Sequence, residues 1–265
     1  IIDQYKTIFG IRDFKFDLNK GFILNGKQVK IKGVCMHHDL GPLGSAINTR
    51  AIERQLEILK EMGVNGIRTS HNPPAPELLD LCDKMGFIVM DEAFDMWKQN
   101  KTKYDYANDW DKWHKQDLID QLLRDRNHAS IFMWSIGNEI GEQKSESGHL
   151  IAKKLVAISH QEDPTRPATA GFNQLTQALA NGLATPLDIV GANYKPGLYA
   201  KVMKENPNMI VYGSETASTV SSRGIYHLPL ENYDKHPSLQ VNSYDFNSPS
   251  WAYPPDIEFE AQDKN

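Results

Sequence analysis

Two glutamates each close an apolar run. Ile131-Phe132-Met133-Trp134 leads through Ser135-Ile136 into Gly137-Asn138-Glu139, and Met209-Ile210-Val211-Tyr212 leads into Gly213-Ser214-Glu215. A carboxyl just past a strand sits where a helix usually begins. Its plain role there is to cap that helix, because the macrodipole favours negative charge. Two such carboxyls, separated by three strands of the pattern described below, would instead face each other across the mouth of a closed sheet. Cleavage of a glycosidic bond asks for such a pair: one carboxyl held neutral to protonate the leaving oxygen, one ionised to attack the sugar. Other polar residues gather where strands are expected to stop: His37-His38-Asp39, Arg68 and His71, Asp91-Glu92, and Asn193-Tyr194.

These residues need strands that end side by side. Seven short apolar runs are predicted as strands, over 29–36, 64–69, 87–90, 131–136, 168–171, 189–193 and 209–212. Ile52, Leu56, Leu59 and Met62 recur at helical spacing and predict a first helix stopped by Gly63. A second follows Pro73-Pro74, with Leu78, Leu79 and Cys82 inward and Gly86 as its stop. A third runs through Trp113, Leu118, Leu122 and Leu123, and a fourth over about 147–160, before Asp163-Pro164. Strand–helix alternation implies parallel strands joined by crossovers, either a doubly wound sheet or a (β/α)8 barrel. A barrel draws catalytic groups from the C-terminal ends of several strands. A doubly wound sheet concentrates them at one switch point, typically with a glycine-rich phosphate loop. The chain has neither Gly-x-Gly-x-x-Gly nor a Walker loop, so the expected fold is α/β, a TIM barrel. Ahead of it, Phe14, Phe16 and Leu18 alternate with polar residues, and Phe22-Ile23-Leu24 and Val29-Lys30-Ile31 flank Asn25-Gly26. That pair predicts a β-hairpin, at the barrel bottom, whose turn takes two positive φ angles.

The motifs resemble the catalytic barrel of glycoside hydrolase family 2, in the beta-galactosidase group. They are Phe9-Gly10-Ile11-Arg12, Gly21-Phe22-Ile23-Leu24-Asn25-Gly26, Lys32-Gly33-Val34, Asn65-Gly66-Ile67-Arg68-Thr69-Ser70-His71-Asn72-Pro73, Met90-Asp91-Glu92-Ala93 and Trp134-Ser135-Ile136-Gly137-Asn138-Glu139. The resemblance runs from near the start to Glu215 and implies retaining hydrolysis of terminal β-linked sugars, most of all β-galactosides. Glu139 would be the general acid/base and Glu215 the nucleophile, with carboxyls about 5–5.5 Å apart. Asn138 resembles the asparagine that binds the sugar 2-OH, and Tyr194 the tyrosine that donates to the nucleophile. Arg68 would pair with the nucleophile, and His37 and His71 correspond to histidines that contact sugar hydroxyls. Trp251, with Trp97 and Tyr253, is a candidate for stacking on sugar faces, against ordinary loop packing; Asp91 and Glu92 are candidate supporting carboxylates. Beta-glucuronidase and beta-mannosidase are the family alternatives. Glucuronidases of the family carry an Asn-x-Lys motif late in the barrel. Setting aside Asn25-Gly26-Lys27 of the hairpin, its absence there is taken to favour galactose.

Composition narrows the rivals. The 265 residues carry a net charge of −5 without a basic stripe, so nucleic acid is not an expected partner. No apolar run exceeds four residues, too short for a membrane-spanning helix. Two cysteines make neither a disulfide framework nor a Cys-rich zinc site. A metallohydrolase barrel wants His-x-His on one strand face, whereas His37 and His38 are adjacent and point to opposite faces. No metal ligand set is therefore read and no cofactor is required, which leaves room for a structural or activating cation. A non-catalytic carbohydrate-binding barrel is the rival from another class, and the complete carboxylate pair argues against it. Residues 1–12 read as the tail of a preceding immunoglobulin-like β-domain, and 13–265 as the barrel. Only 50 residues follow Glu215, with no apolar run fit for an inward strand, so the eighth strand is expected beyond residue 265. Strands 1 and 7 would then expose open edges, where copies of the chain or adjacent family domains would associate. Compartment stays open between periplasmic, secreted and cytoplasmic.

Overall fold

The computed structural model describes residues 2–4, 6–194 and 196–216. Three antiparallel strands come first: β1 (Phe14–Asp17), β2 (Gly21–Leu24) and β3 (Lys27–Gln28), in that spatial order. The β2–β3 turn is the expected two-residue loop, pairing Leu24 with Lys27 and holding Asn25 and Gly26 at φ 49° and 75°. Seven strands then alternate with six helices: β4 (Gly33–His37), α1 (Thr49–Glu61), β5 (Gly66–Ser70), α2 (Pro76–Met85), β6 (Ile88–Glu92), α3 (Trp110–Asp125), β7 (Ile131–Asn138), α4 (Ser147–Glu162), β8 (Ala168–Phe172), α5 (Leu175–Ala180), β9 (Val190–Asn193), α6 (Tyr199–Glu205) and β10 (Val211–Glu215). This is a partial TIM barrel. The expected position of an eighth strand, beyond residue 265, is outside the described residues.

The chain divides into two compact units, 1–190 with 208–210, and 191–207 with 211–265. In the first, β4 to β8 are parallel neighbours in chain order. Asp188 N–H donates to the Ala168 carbonyl and Val190 N–H to that of Ile210, so the chain entering β9 lies against β8. β7 is buried along its whole length, as expected of a strand covered on both faces. The hairpin packs against the entry end of β7, where Phe16 and Phe22 lie 5.9 and 5.4 Å from Phe132 between ring centroids. That is the barrel bottom. The second unit holds the rest of β9, α6 and β10, with Tyr194 N–H on the Glu215 carbonyl.

Local signals explain most boundaries. Asn48 caps α1 by accepting the Ala51 N–H at 3.0 Å, satisfying one of the helix's orphan donors. Gly86 closes α2 in the left-handed conformation at φ 77°, where a side chain would be strained. Ile52 and Leu56 are buried as expected, but Met62 is 70% exposed. It is the C-cap of α1 and still donates to the Ile58 carbonyl at 3.1 Å, so the apolar spacing runs on past the stretch of helix that the core covers. Helices α5 and α6 escaped the sequence analysis because, at six and seven residues, they are too short to show a period. Among the described residues no helix is long and apolar enough to cross a membrane.

Candidate active site

The first unit collects polar side chains at the C-terminal ends of β5, β6 and β7. Glu92, the last residue of β6, is 0% exposed. Its Oε2 accepts from Arg68 Nη2 at 2.8 Å, Arg68 Nε at 3.0 Å and Ser135 Oγ at 2.6 Å. Its Oε1 lies 2.6 Å from His71 Nδ1. Burial alone would raise this carboxyl, but the Arg68 charge, then His71 and Ser135, hold it below the usual range. His71 also meets His37 edge-to-face, with ring centroids 5.0 Å apart.

Asn138 ends β7 with both ends of its amide engaged. Oδ1 accepts from Arg68 Nη2 at 2.8 Å, and Nδ2 donates to Asp95 at 3.0 Å. Lys101 Nζ reaches Asp95 at 2.6 Å and the Asn138 carbonyl at 3.0 Å. Burial would raise the Asp95 carboxyl, but Asn138 and Lys101 more than offset it and keep it low. Glu139 follows in the left-handed region at φ 42°. Its N–H is tied to the Gly171 carbonyl at 2.8 Å, and Asn173 Nδ2 donates to its Oε2 at 3.0 Å. Gly137 is required by a close approach: a Cβ there would lie 2.8 Å from Trp97 Nε1. The β7–β8 register slips between Ser135 and Asn138, the kind of irregularity that re-aims side chains beside a site.

The second unit presents Glu215 at the end of β10 with donors on both oxygens. Tyr194 Oη donates to Oε1 at 2.8 Å, and Asn193 Nδ2 to Oε2 at 3.2 Å. Ser214 Oγ in turn donates to Asn193 Oδ1 at 2.6 Å, which fixes the amide. Tyr194 is held at φ 60°. Gly213 leaves room for Tyr199 and Thr216, which a Cβ would meet at 3.2 and 2.3 Å.

Several expectations change. Within the first unit Arg68 meets Glu92, Asn138 and the Cys35 sulfur, contacts that leave its expected pairing with the nucleophile untouched. Trp97 does not stack on a ligand: it is fully buried, and its Nε1 donates to the Ile136 carbonyl at 2.7 Å. Asp91 is buried on the helix side, bonded by Gln121 at 2.6 Å, and only Glu92 faces the cluster. His38 is exposed beside the Ser45 carbonyl at 3.2 Å. Trp251 and Tyr253 lie outside the described residues. Asn193-Tyr194-Lys195 has the Asn-x-Lys spacing, so absence of that triplet is no argument for galactose. Ser135, Asp95, Lys101 and Asn173 were missed. Asn173 follows a strand end and was open to the rule that found Glu139; Asp95 and Lys101 sit in a long loop with no periodic signal.

The description "Glycosyl hydrolases family 2, TIM barrel domain" matches residues 17–243. Beta-galactosidase BoGH2A of Bacteroides ovatus is 51% identical over 261 residues, taking in 87% of this chain and 31% of that protein. A putative beta-glucuronidase of Formosa agariphila is 38% identical over 229 residues, 85% of this chain and 20% of the other. The crystal structure of a family 2 glycosyl hydrolase from Bacteroides cellulosilyticus superposes with a TM-score of 0.73 at 45% identity, covering 78% of this chain and 27% of that one. The chain thus spans about a third or less of the length of these relatives.

Proposed function

The chain belongs to glycosyl hydrolase family 2 through its TIM barrel domain, and on that premise we propose that it supplies the catalytic barrel of a retaining β-glycosidase. The observation that carries this reading is Glu215, a strand-end carboxylate whose two oxygens each take a side-chain donor, from Tyr194 and Asn193. Such donors hold the carboxylate in one direction, which is what a nucleophile needs. Glu139 protonates the glycosidic oxygen as the Glu215 oxygen attacks the anomeric carbon and the leaving alcohol departs. Glu139, now ionised, takes a proton from water; the resulting hydroxide attacks the glycosyl ester, and Glu215 leaves with its electron pair. Asn138 binds the 2-OH, a contact that tightens in the transition state. His37 and His71 hold sugar hydroxyls, Arg68 holds Asn138, and Trp251 is kept as a stacking residue. Residues 13–265 are assigned to the barrel, and 1–12 to the end of a preceding β-domain.

The sugar we favour is β-galactose, as in the Bacteroides ovatus relative. A β-glucuronide is the second reading, favoured by the Asn193-Tyr194-Lys195 spacing and by relatives of that name. Against it, Asn193 commits its amide to Glu215 and Ser214 rather than to a sugar carboxylate. Hydrolysis of paired aryl β-galactoside and β-glucuronide, followed by proton NMR, tests both points. Release of the β-anomer first supports the double displacement. First appearance of the α-anomer would overturn it, and a preference for the glucuronide would reverse the choice of sugar.

A further inference from the structure

We propose that Glu92 is a positioning residue, orienting His71 directly and Asn138 through Arg68. The inference rests on the glycosidase reading above. An ionised carboxylate only accepts hydrogen bonds, so every group set against Glu92 must present a hydrogen. His71 Nδ1, 2.6 Å away, therefore carries a hydrogen, and Nε2 is the nitrogen offered to a ligand. The second path runs through the guanidinium. Arg68 sets Nε and Nη2 on Glu92 Oε2 at 3.0 and 2.8 Å, and the same Nη2 donates to Asn138 Oδ1 at 2.8 Å. With its carbonyl end turned to Arg68, Asn138 must point its NH2 the other way, where one hydrogen reaches Asp95. One buried carboxylate thereby decides which end of two ligand-facing side chains meets the sugar.

A merely structural ion pair is the competing account, and such a pair contributes little net stability compared with apolar residues of like shape. Here its two strongest partners beside Ser135 both lead to residues at the mouth of the site. Loss of a carboxylate that orients a histidine costs about 10- to 100-fold where such pairs support a metal site, and the same scale is expected here.

The experiment uses the intact protein and three variants: Glu92→Gln, Ser135→Ala and His71→Ala. Glu92→Gln keeps the shape and removes the charge. Its kcat/KM on an aryl β-glycoside should fall about 10- to 100-fold, divided between KM, through His71, and kcat, through the Asn138 contact. Combined with His71→Ala, the loss should fall short of the product of the two single losses by about fivefold or more. Undiminished kcat/KM in a folded Glu92→Gln protein, or losses that multiply in full, would overturn the proposal. Ser135→Ala removes one donor from Glu92 and leaves the ion pair; it takes over both readouts if Glu92→Gln does not fold, with a loss of about 3- to 10-fold expected. Histidine 15N NMR supplies a readout free of turnover. His71 should carry its hydrogen on Nδ1 in the wild type and redistribute it towards Nε2 in Glu92→Gln and, to a smaller extent, in Ser135→Ala. A wild-type His71 protonated on Nε2 alone would sink the idea. If the wild type cleaves no glycoside at all, the glycosidase reading fails, and the histidine signal still decides the role of Glu92.

Discussion

Glu139 and Glu215 are chemically identical side chains in different settings. Glu139 accepts from the Asn173 amide; Glu215 accepts from a phenol and an amide on separate oxygens. Donors on both oxygens fix the direction of the Glu215 carboxylate, which suits the proposed division into acid and nucleophile. Replacing Glu139 by Gln should slow substrates with poor leaving groups by about 10²- to 10⁴-fold, the usual worth of a positioned acid. Activated aryl glycosides, which need little protonation, should lose far less in the first step. Glu215→Gln should abolish turnover of both. Leaving-group dependence of kcat/KM for the two variants checks the assignment, and equal losses for Glu139→Gln across the series would contradict it.

The position of Glu139 depends on the element that delivers it. β7 is buried throughout, runs past a register slip, and then packs Gly137 against the indole of Trp97. Trp97 is itself locked by its bond to the Ile136 carbonyl. A methyl at residue 137 has no space, since the atoms it would meet belong to a rigid ring rather than to a flexible side-chain tip. Gly137→Ala should therefore destabilise the fold by about 1–3 kcal/mol, the range for overpacking a core. It should also lower kcat/KM by displacing the adjacent Asn138 and Glu139. Urea unfolding and kinetics on one preparation measure both effects. Wild-type stability in the Ala variant would show that the strand end yields more easily than this packing implies.

At the scale of the whole chain, the wall between β6 and α3 contains a buried acid pair. Asp91 accepts from Gln121 at 2.6 Å and lies beside Asp125, which is held by Arg124 at 2.6 Å. Burial first, and then the Asp125 carboxylate, push the Asp91 carboxyl well above its usual range. A carboxyl whose folded pKa is raised binds its proton more tightly in the native state. Its stabilisation is complete below the unfolded value near 3.9 and is lost as pH rises towards the folded value. Asn has a similar shape, donates a hydrogen bond and does not titrate. Asp91→Asn should thus gain on the wild type as pH increases, closing or reversing any deficit seen at pH 4 by pH 8. The difference in Tm between the two proteins should change by about 3–8 °C over that interval, on the scale expected for one or two kcal/mol. Parallel Tm–pH curves would show that Asp91 titrates normally.

The amino-acid sequence by itself determined the alternation of strands and helices, the opening hairpin, and the two strand ends that carry Glu139 and Glu215. Each rests on a local cause: hydrophobic period, the two positive φ angles at Asn25-Gly26, and a polar residue placed directly after an apolar run. Only the tertiary structure decided which polar residues share a face. Ser135 and Asn138 both join the Glu92–Arg68 cluster though they are three residues apart, a spacing that strict strand alternation forbids and the register slip in β7 allows. Asp91 and Glu92 part to opposite sides of β6 for the reason alternation does predict, yet which of them faces inward depends on the register of the neighbouring strands. Trp97, Asp95 and Lys101 come from one loop. Its path over β7 buries the indole and carries the other two to Asn138, and that path is set by packing between residues some 40 positions apart along the chain.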